Sequence, residues 1–480
     1  MSMSIWSEGI MIPKRERLNK NIETEVAVIG AGMAGVLIAE RLRKAGKRVV
    51  VLEADRIASG QTKNTTAKIT MQHGCKYSQL AKSLGIDTAR LYAKANLDAV
   101  GWFEKFIKEN NISCDFERRS AFIYTKKDPL VLKEEYSVYQ QMGVAASLTD
   151  KTELPFGIKS ALEVENQAQF SPLKFISAVV PDLEIYEQTR VKRVKGQMLY
   201  CDGAVVYAQH IVFATHYPFV NFPAMYFLRL HQERSYVLAL ENTTKINGMY
   251  LGIDDNGYSF RSCGDYLLLG GGSHRTGENS AGGMYAELRS TAQRYFKNFK
   301  EVAHWSAQDC ISADTVPYIG QFSKSRPNWY VATGFGKWGM TASCVAADII
   351  CDLVCKKQNQ YTNVFSPARI SVKALSGIAG EGRQAVKGLL IRNLQIPREK
   401  LCDIPVGHGG IVVYRGERIG VYRESEQKHY CVSVKCPHLG CRLEWNADEK
   451  SWDCPCHGSR FDYTGKLLDN PAQIDLKHKF

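Results

Sequence analysis

The 480-residue chain predicts an α/β domain wound on a parallel sheet, an antiparallel-sheet partner built into it, and a small all-β unit at its end. Three observations predict this. Residues 25–30 (Glu-Val-Ala-Val-Ile-Gly) and 48–52 (Arg-Val-Val-Val-Leu) are short apolar runs on either side of a helical stretch, the strand–helix–strand unit of a parallel sheet. Residues 235–275 alternate apolar and polar positions between glycine-containing turns, as half-buried antiparallel strands do. From Leu401 onward short β-rich segments return, after 35 residues with no clear period.

Composition agrees with a chain that buries real cores. Apolar residues make up 45% and charged residues 23%, which excludes disorder, collagen and a small disulfide scaffold. The formal charge is +13, spread rather than concentrated: residues 401–480 hold 11 basic and 11 acidic residues, and residues 366–400 hold seven basic and two acidic. No basic arm and no basic–aromatic stripe points to nucleic acid. No stretch reaches the roughly 18 uncharged apolar residues a membrane span needs, and the N-terminal 21 residues lack the apolar core of a signal peptide, so the expected location is cytoplasmic. Ten of the 14 cysteines are scattered, and four crowd into residues 436–456 with metal-site spacing.

Along the chain, residues 36–44 read as a helix with Val36, Leu37, Ile38 and Leu42 free to pack, and Gly46 as its stop. Residues 88–110 and 128–143 are also helical in pattern. Strands are expected at 184–186, 191–194, 205–207, 211–213 and 328–332, with a core helix after Thr341. Residues 366–400 read as a linker.

Gly30-x-Gly32-x-x-Gly35 joins the first strand to the helix, and Glu53 closes the second strand 18 positions later. The first glycine permits the tight turn, the second lets backbone amides approach a pyrophosphate, and the third allows close helix–strand packing at a favourable helix N-terminus. Glu53 suits a ribose diol. This predicts a dinucleotide site but does not separate FAD from NAD. Gly380-x-Gly382 lacks a strand and a third glycine, so no second such site is expected.

Later segments bear on that choice: Ser59-Gly60-Gln-Thr-Lys-Asn-Thr65-Thr66, Thr189-Arg-Val191, residues 211–215, Asp314-Thr-Val-Pro-Tyr-Ile-Gly320 and Ala332-Thr-Gly334-Phe-Gly336-Lys-Trp-Gly339-Met340-Thr341. With them, residues 24–360 resemble the FAD-dependent D-amino-acid oxidase, glycine oxidase and sarcosine oxidase family. The resemblance implies FAD in a Rossmann-like domain. Ser59, Gly60, Thr65 and Thr66 would lie against pyrophosphate and flavin, Val191 against the adenine, and Gly334, Gly336, Gly339 and Met340 in a loop at the flavin's pyrimidine edge. It also implies an oxidoreductase unit over residues 1–365, with an FAD-binding part (about 22–75, 180–222 and 305–360) and a substrate part (about 76–179 and 223–304). Two departures stand out: Lys63-Asn-Thr-Thr-Ala-Lys68 replaces a run of small residues, and His216 stands where the family has glycine.

Cys436-x-His438-x15-Cys454-x-x-His457 is the most specific signal in the chain. A Rieske [2Fe–2S] centre needs two thiolates on one iron and two imidazoles on the other. A Cys2His2 zinc site, the alternative, groups its cysteines before its histidines, whereas here they interleave. With Cys441 and Cys456 the stretch resembles the Rieske domains of cytochrome bc and b6f complexes, which implies a Rieske domain over residues 401–480 and a Cys441–Cys456 disulfide tying the two cluster loops. It also implies a hydroxyl, Ser459, on a cluster sulfur. Phe461 replaces the resembling proteins' tyrosine, so a lower potential is expected within the Rieske range of roughly −150 to +300 mV.

Weaker candidates are Arg261 as an anchor for a substrate carboxylate, His73 and His274 as cavity-lining groups, and Cys263 or Cys310 as a covalent flavin tether. No general base is indicated. The expected function is oxidation of a small amine, amino acid or similar small-molecule substrate at FAD, with electrons passing singly through the cluster to an external one-electron carrier. The alternatives are an O2-using oxidase with a structural or regulatory cluster, and an electron-transfer protein with no small substrate.

Overall fold

The computed structural model describes residues 4–369, 380 and 401–479. Strands Ile22–Ile29 and Val49–Leu52 flank the helix Met33–Lys44 and pair in parallel. They sit in an eight-stranded sheet whose main path runs Tyr318–Ser323, Arg326–Thr333, Ala204–Phe213, Ile22–Ile29, Val49–Leu52, Glu184–Tyr186. All pairings along it are parallel except the first. The centre is apolar throughout because helices cover it. Val26, Val28, Val36, Leu37 and Ile38 are buried with Val345, Ile349 and Ile350 of the helix Gly339–Val354 in one core cluster.

 The helix begins three residues earlier than its apolar pattern suggested, because Met33, Ala34 and Gly35 are buried against the strand and continue the turn without a break.

The second sheet has nine strands, with a main path of Lys300–Ser312, Leu230–Glu241, Tyr266–Arg275, Ser259–Cys263, Met249–Gly252, Glu117–Thr125, Ser160–Gln169 and Lys68–Ile69. It is antiparallel except where Met249–Gly252 meets Glu117–Thr125. Two differences from the sequence reading matter for the site. The expected strands at 205–207 and 211–213 are one strand, Ala204–Phe213: its first half alternates buried and exposed in a hairpin, and its second half is buried on both faces beside Ile22–Ile29. Lys68 and Ile69, placed by sequence with the nucleotide-binding part, pair instead with Ser160–Gln169 and so carry the cavity wall into the second sheet.

The C-terminal unit holds a three-stranded sheet (Gly409–Tyr414, Glu417–Arg423, His429–Ser433) and a four-stranded one (Glu444–Asn446, Ser451–Asp453, Arg460–Asp462, Leu467–Asp469). Trp452, Phe461, Leu443 and Val432 form its core beneath the cysteine loops. Most of the expected linker, residues 370–379 and 381–400, lies outside the described residues. Its first residues are packed: Arg369 pairs with Asp314 at 2.7 Å and stacks 4.2 Å from the Tyr318 ring. No described helix is long and apolar enough to cross a membrane.

Candidate active site and cluster site

The glycine turn is built as its spacing requires. Gly30 has φ +103°, and a Cβ on Gly35 would lie 1.9 Å from the Gly30 carbonyl oxygen, so only glycine lets helix and strand approach this closely. The Glu53 carboxylate accepts from the Ala31 amide at 2.7 Å and the Asp55 amide at 2.9 Å, while burial pushes its carboxyl pKa up. Thr62, on the following turn, accepts from the Met33 amide at the helix start (2.9 Å).

These elements open into a cavity of about 450 Å³ between the two sheets. Gly30, Gly32, Glu53, Ser59, Gly60, Thr65, Thr66, Val191, Gly336, Gly339 and Met340 all line it. Gly35 and Gly334 are not among the lining residues. Gly35 lies behind the turn, and Gly334 (φ +72°) packs against Ser312 and Leu230. His216 also lines the cavity and adopts φ +64°, the left-handed conformation that glycine favours and that the family's glycine would take freely.

Asn64, Thr65 and Thr66 form part of the cavity wall, and the carbonyls of all five residues 63–67 are held from behind. Ser4 binds the Lys63 carbonyl, Trp305 Nε1 donates to Asn64 O (2.9 Å), and Trp6 Nε1 donates to Thr65 O (2.7 Å). Arg261 donates to Thr66 O (2.5 Å) and Ala67 O (2.9 Å). Arg261 is thus not placed as a substrate anchor: it is 1% exposed, lies outside the cavity lining, and spends its charge on two backbone carbonyls. Trp6 and Trp305 carry no motif and were not singled out by sequence.

His73 is likewise corrected. It is buried outside the cavity lining and stacks on Trp338, which lines it (ring centroids 4.6 Å). Its ring nitrogens meet the Tyr92 hydroxyl (2.8 Å) and the Thr70 carbonyl (2.9 Å), and burial pushes its pKa well down. His274 also lies outside the lining, against the Tyr236 hydroxyl (3.1 Å). Cys310 does line the cavity, but burial pushes its thiol up to about 12, which keeps it from acting as a nucleophile. Cys263 does not line it.

Three cationic residues line the cavity, Lys68, Arg190 and Lys337, and Lys68 is the one whose ammonium is buried between the sheets. Its ammonium donates to the Tyr250 carbonyl (2.8 Å) and the Ser259 hydroxyl (2.6 Å), both neutral acceptors. Burial, with Arg261 nearby, pushes its pKa down to about 7. Asp309 is also in the lining; its carboxyl is pushed up by burial and accepts from Ser235 (3.0 Å).

The cluster loops, 436–441 and 454–459, are closed alike. Gly440 N–H donates to Cys436 O and Gly458 N–H to Cys454 O, both at 2.9 Å, with both glycines at positive φ (84° and 80°). Cys436 and Cys454 are buried with their thiols hydrogen-bonded to each other, and the His438 and His457 rings are perpendicular with centroids 4.9 Å apart. Amides of Cys456, His457 and Gly458 aim at the Cys454 sulfur, and the His438 amide and Ser459 hydroxyl at the Cys436 sulfur; the hydrogen bond between the two sulfurs lowers the Cys454 thiol, while that bond and burial raise the Cys436 thiol. A disulfide joins Cys441 to Cys456. Nδ1 of His438 is buried with no hydrogen-bond partner among the described residues, and burial pushes that imidazole down to about 4, the neutral form that ligation requires. Two sulfurs and two imidazoles brought together in this way fit a [2Fe–2S] centre.

The two sites adjoin. Leu468, Asp469, Asn470 and Gln473 of the C-terminal unit line the cavity. Gln308, also in the lining, donates to Gly458 O (2.8 Å) and Gln232 Oε1 (2.7 Å), and Gln232 donates to His457 O (2.7 Å). Arg275 donates to Pro455 O (3.1 Å), and Asn470 to Thr215 O (2.8 Å). None of these side chains was signalled by sequence, because lone polar residues from distant segments carry no spacing.

Comparison with known proteins agrees with both halves. Residues 25–353 match the family model for FAD dependent oxidoreductases and residues 397–478 that for the Rieske [2Fe-2S] domain. The chain therefore belongs to the FAD-dependent oxidoreductase family and carries a C-terminal Rieske domain, with FAD and a [2Fe–2S] cluster as its cofactors. It is 35% identical over 494 residues to YhfW of Bacillus subtilis (strain 168), named as a Rieske 2Fe-2S iron-sulfur protein, covering 98% of this chain and 97% of that one. Over 66 residues it is 42% identical to the cytochrome b6-f complex iron-sulfur subunit of Synechococcus elongatus, which is 14% of this chain and 32% of that subunit. In fold it is similar to glycine oxidase from Geobacillus kaustophilus (TM-score 0.62, 18% identity, 72% of this chain and 99% of that one) and to L-amino acid deaminase from Proteus vulgaris (TM-score 0.60, 15% identity, 75% and 100%).

Proposed function

We propose that this enzyme oxidises a small amine or amino acid at the flavin and passes the electrons singly through the Rieske cluster to an external one-electron carrier. The observation that carries this reading is the shared wall: the cavity that holds the FAD motifs is closed by Asp469 and Asn470, and its Gln308 is one amide from the carbonyl of His457. FAD supplies the two-electron acceptor for the substrate C–H bond. The chain's part is to position it. The held carbonyls of residues 63–67 fix the wall, and the Glu53 carboxylate would receive the nucleotide's ribose hydroxyls. Lys68 offers a substrate carboxylate a cation that has only neutral partners, and the similarity in fold to an L-amino acid deaminase supports that substrate class. Twelve cysteines without a disulfide, against one disulfide, support a reducing, cytoplasmic setting.

The test is an anaerobic stopped-flow screen of amines and amino acids, following flavin and cluster absorbance together. A substrate that bleaches the flavin and then the cluster is the expected result. Peroxide formed at the turnover rate with the cluster remaining oxidised would instead establish an O2-using oxidase, and no bleaching by any compound would leave electron transfer without a small substrate.

A further inference from the structure

The segment that follows the strand Ala204–Phe213 reaches from the flavin unit to the cluster's histidine edge and then out to solvent. Asn221 Oδ1 lies 2.9 Å from His438 Nε2, which places the flavin unit directly on one imidazole. The next residue, Phe222, is 67% exposed, and Met225 is 43% exposed. The Phe222 ring is 6.0 Å from Phe227, and Phe227 is 6.1 Å from His457. A chain of rings thus runs from the other imidazole to the surface. Pro223 and Pro437, the residue before His438, are exposed as well. Large apolar rings at the surface cost solvation, and a patch of them beside a redox centre marks a contact face.

The two chain stretches that carry the patch and the first cluster loop bear charge of one sign. Residues 216–232 and 433–443 contain no Asp or Glu, the flanking Glu233 and Glu444 are paired with Lys337 and Arg442, Lys435 is exposed at the edge of the first cluster loop, and the whole chain carries +13. We propose that the Phe222–Met225 patch is the docking face for a one-electron carrier protein with an acidic contact surface, which takes the electron from the cluster at its histidine edge. The proposal rests on the reading of the cluster as an outlet for flavin electrons. In the step itself the reduced cluster gives up one electron and returns to its oxidised state, the carrier's metal gains it, and no bond or proton moves. Complementary charge would speed the encounter and the rings would supply the contact.

The experiment starts from holoprotein reduced with dithionite, so that it does not depend on finding a substrate. The protein is mixed anaerobically with an acidic plastocyanin, and cluster and copper absorbance are followed. The expected result is reoxidation that slows at least tenfold between low and high ionic strength, and slows at least tenfold in F222S/M225S at low ionic strength. Ferricyanide, too small to need a docking face, is expected to reoxidise wild type and variant equally, with the flavin and cluster spectra unchanged. Equal plastocyanin rates for variant and wild type would overturn the proposal, as would faster reaction with a basic cytochrome c than with plastocyanin. A matching loss with ferricyanide would overturn it too, by showing that the substitutions disturb the cluster itself. If the substrate screen fails while this assay succeeds, the substrate reading falls and the docking face stands.

Discussion

Lys68 shows how one residue ties the cavity to pH. Its ammonium is buried beside Arg261 and held by a carbonyl and a hydroxyl, so the charged form is disfavoured and its pKa sits at about 7 rather than 10.5. A bound carboxylate would supply the missing counter-charge. For an amino-acid substrate, kcat/KM is therefore expected to fall as pH rises through about 7, since that ratio reports groups of the free enzyme and it is the protonated form that binds. Lys68→Met should remove this limb and raise KM by about 10- to 150-fold, the loss of a charge-assisted hydrogen bond worth about 1.5–3 kcal/mol. Steady-state kinetics between pH 6 and 9, within the range where the two forms exchange, checks both. An unchanged pH profile in the variant would remove Lys68 from substrate binding. The sequence marked Lys68 only as part of an unusual run, because a lone lysine has no spacing that separates a cavity cation from a surface one.

Single elements show what was legible and why. The strand–glycine–helix turn and the cluster loops could be read directly, since each function needs fixed residues a few positions apart. The 63–67 wall could not, because its carbonyls are held by Ser4, Trp6, Arg261 and Trp305, brought together only by the fold. Arg261 was read as a substrate anchor for the same reason: a strand arginine looks alike whether it faces a ligand or a backbone. Arg261→Met would leave two buried carbonyls without a donor, at about 1–3 kcal/mol each. The expected result is a melting temperature lowered by several degrees and flavin lost on gel filtration, with part of the melting temperature restored by excess FAD. In the second cluster loop, Gly458 has φ +80°, and a Cβ there would lie 2.6 Å from Gln232 Cβ. Gly458→Ala should therefore lower the cluster's visible absorbance per protein and weaken docking, whereas Gly416→Ala, at a similar φ of +80° with open space around it, should keep the full cluster content.

At the scale of the whole molecule, the two units are joined by polar contacts that no periodicity announces. The most buried ion pair among them is Arg234, 1% exposed on a strand of the second sheet, with the Glu449 carboxylate of the C-terminal unit at 2.6 Å. Ser306 also donates to Glu449, and Arg460 lies 3.1 Å away. Arg234 and Arg460 hold the Glu449 carboxyl at about 2 despite its burial. Because this pKa is depressed, the pair's contribution is complete above the ordinary carboxyl pKa near 4.5 and is lost as pH falls toward 2. Glu449→Gln keeps the shape but strands Arg234 in the interface, at a cost of about 3–5 kcal/mol, whereas replacing both partners by apolar residues removes the stranded charge. Glu449→Gln is thus expected to slow reduction of the cluster by the flavin while each cofactor keeps its own spectrum, and Arg234→Met/Glu449→Met to recover much of the rate. Flash photoreduction of the flavin, followed at the cluster's absorbance, reads this directly. If Glu449→Gln transferred electrons as fast as wild type, the docked arrangement would not be the one through which the two centres exchange charge, and the shared wall would be a packing feature alone.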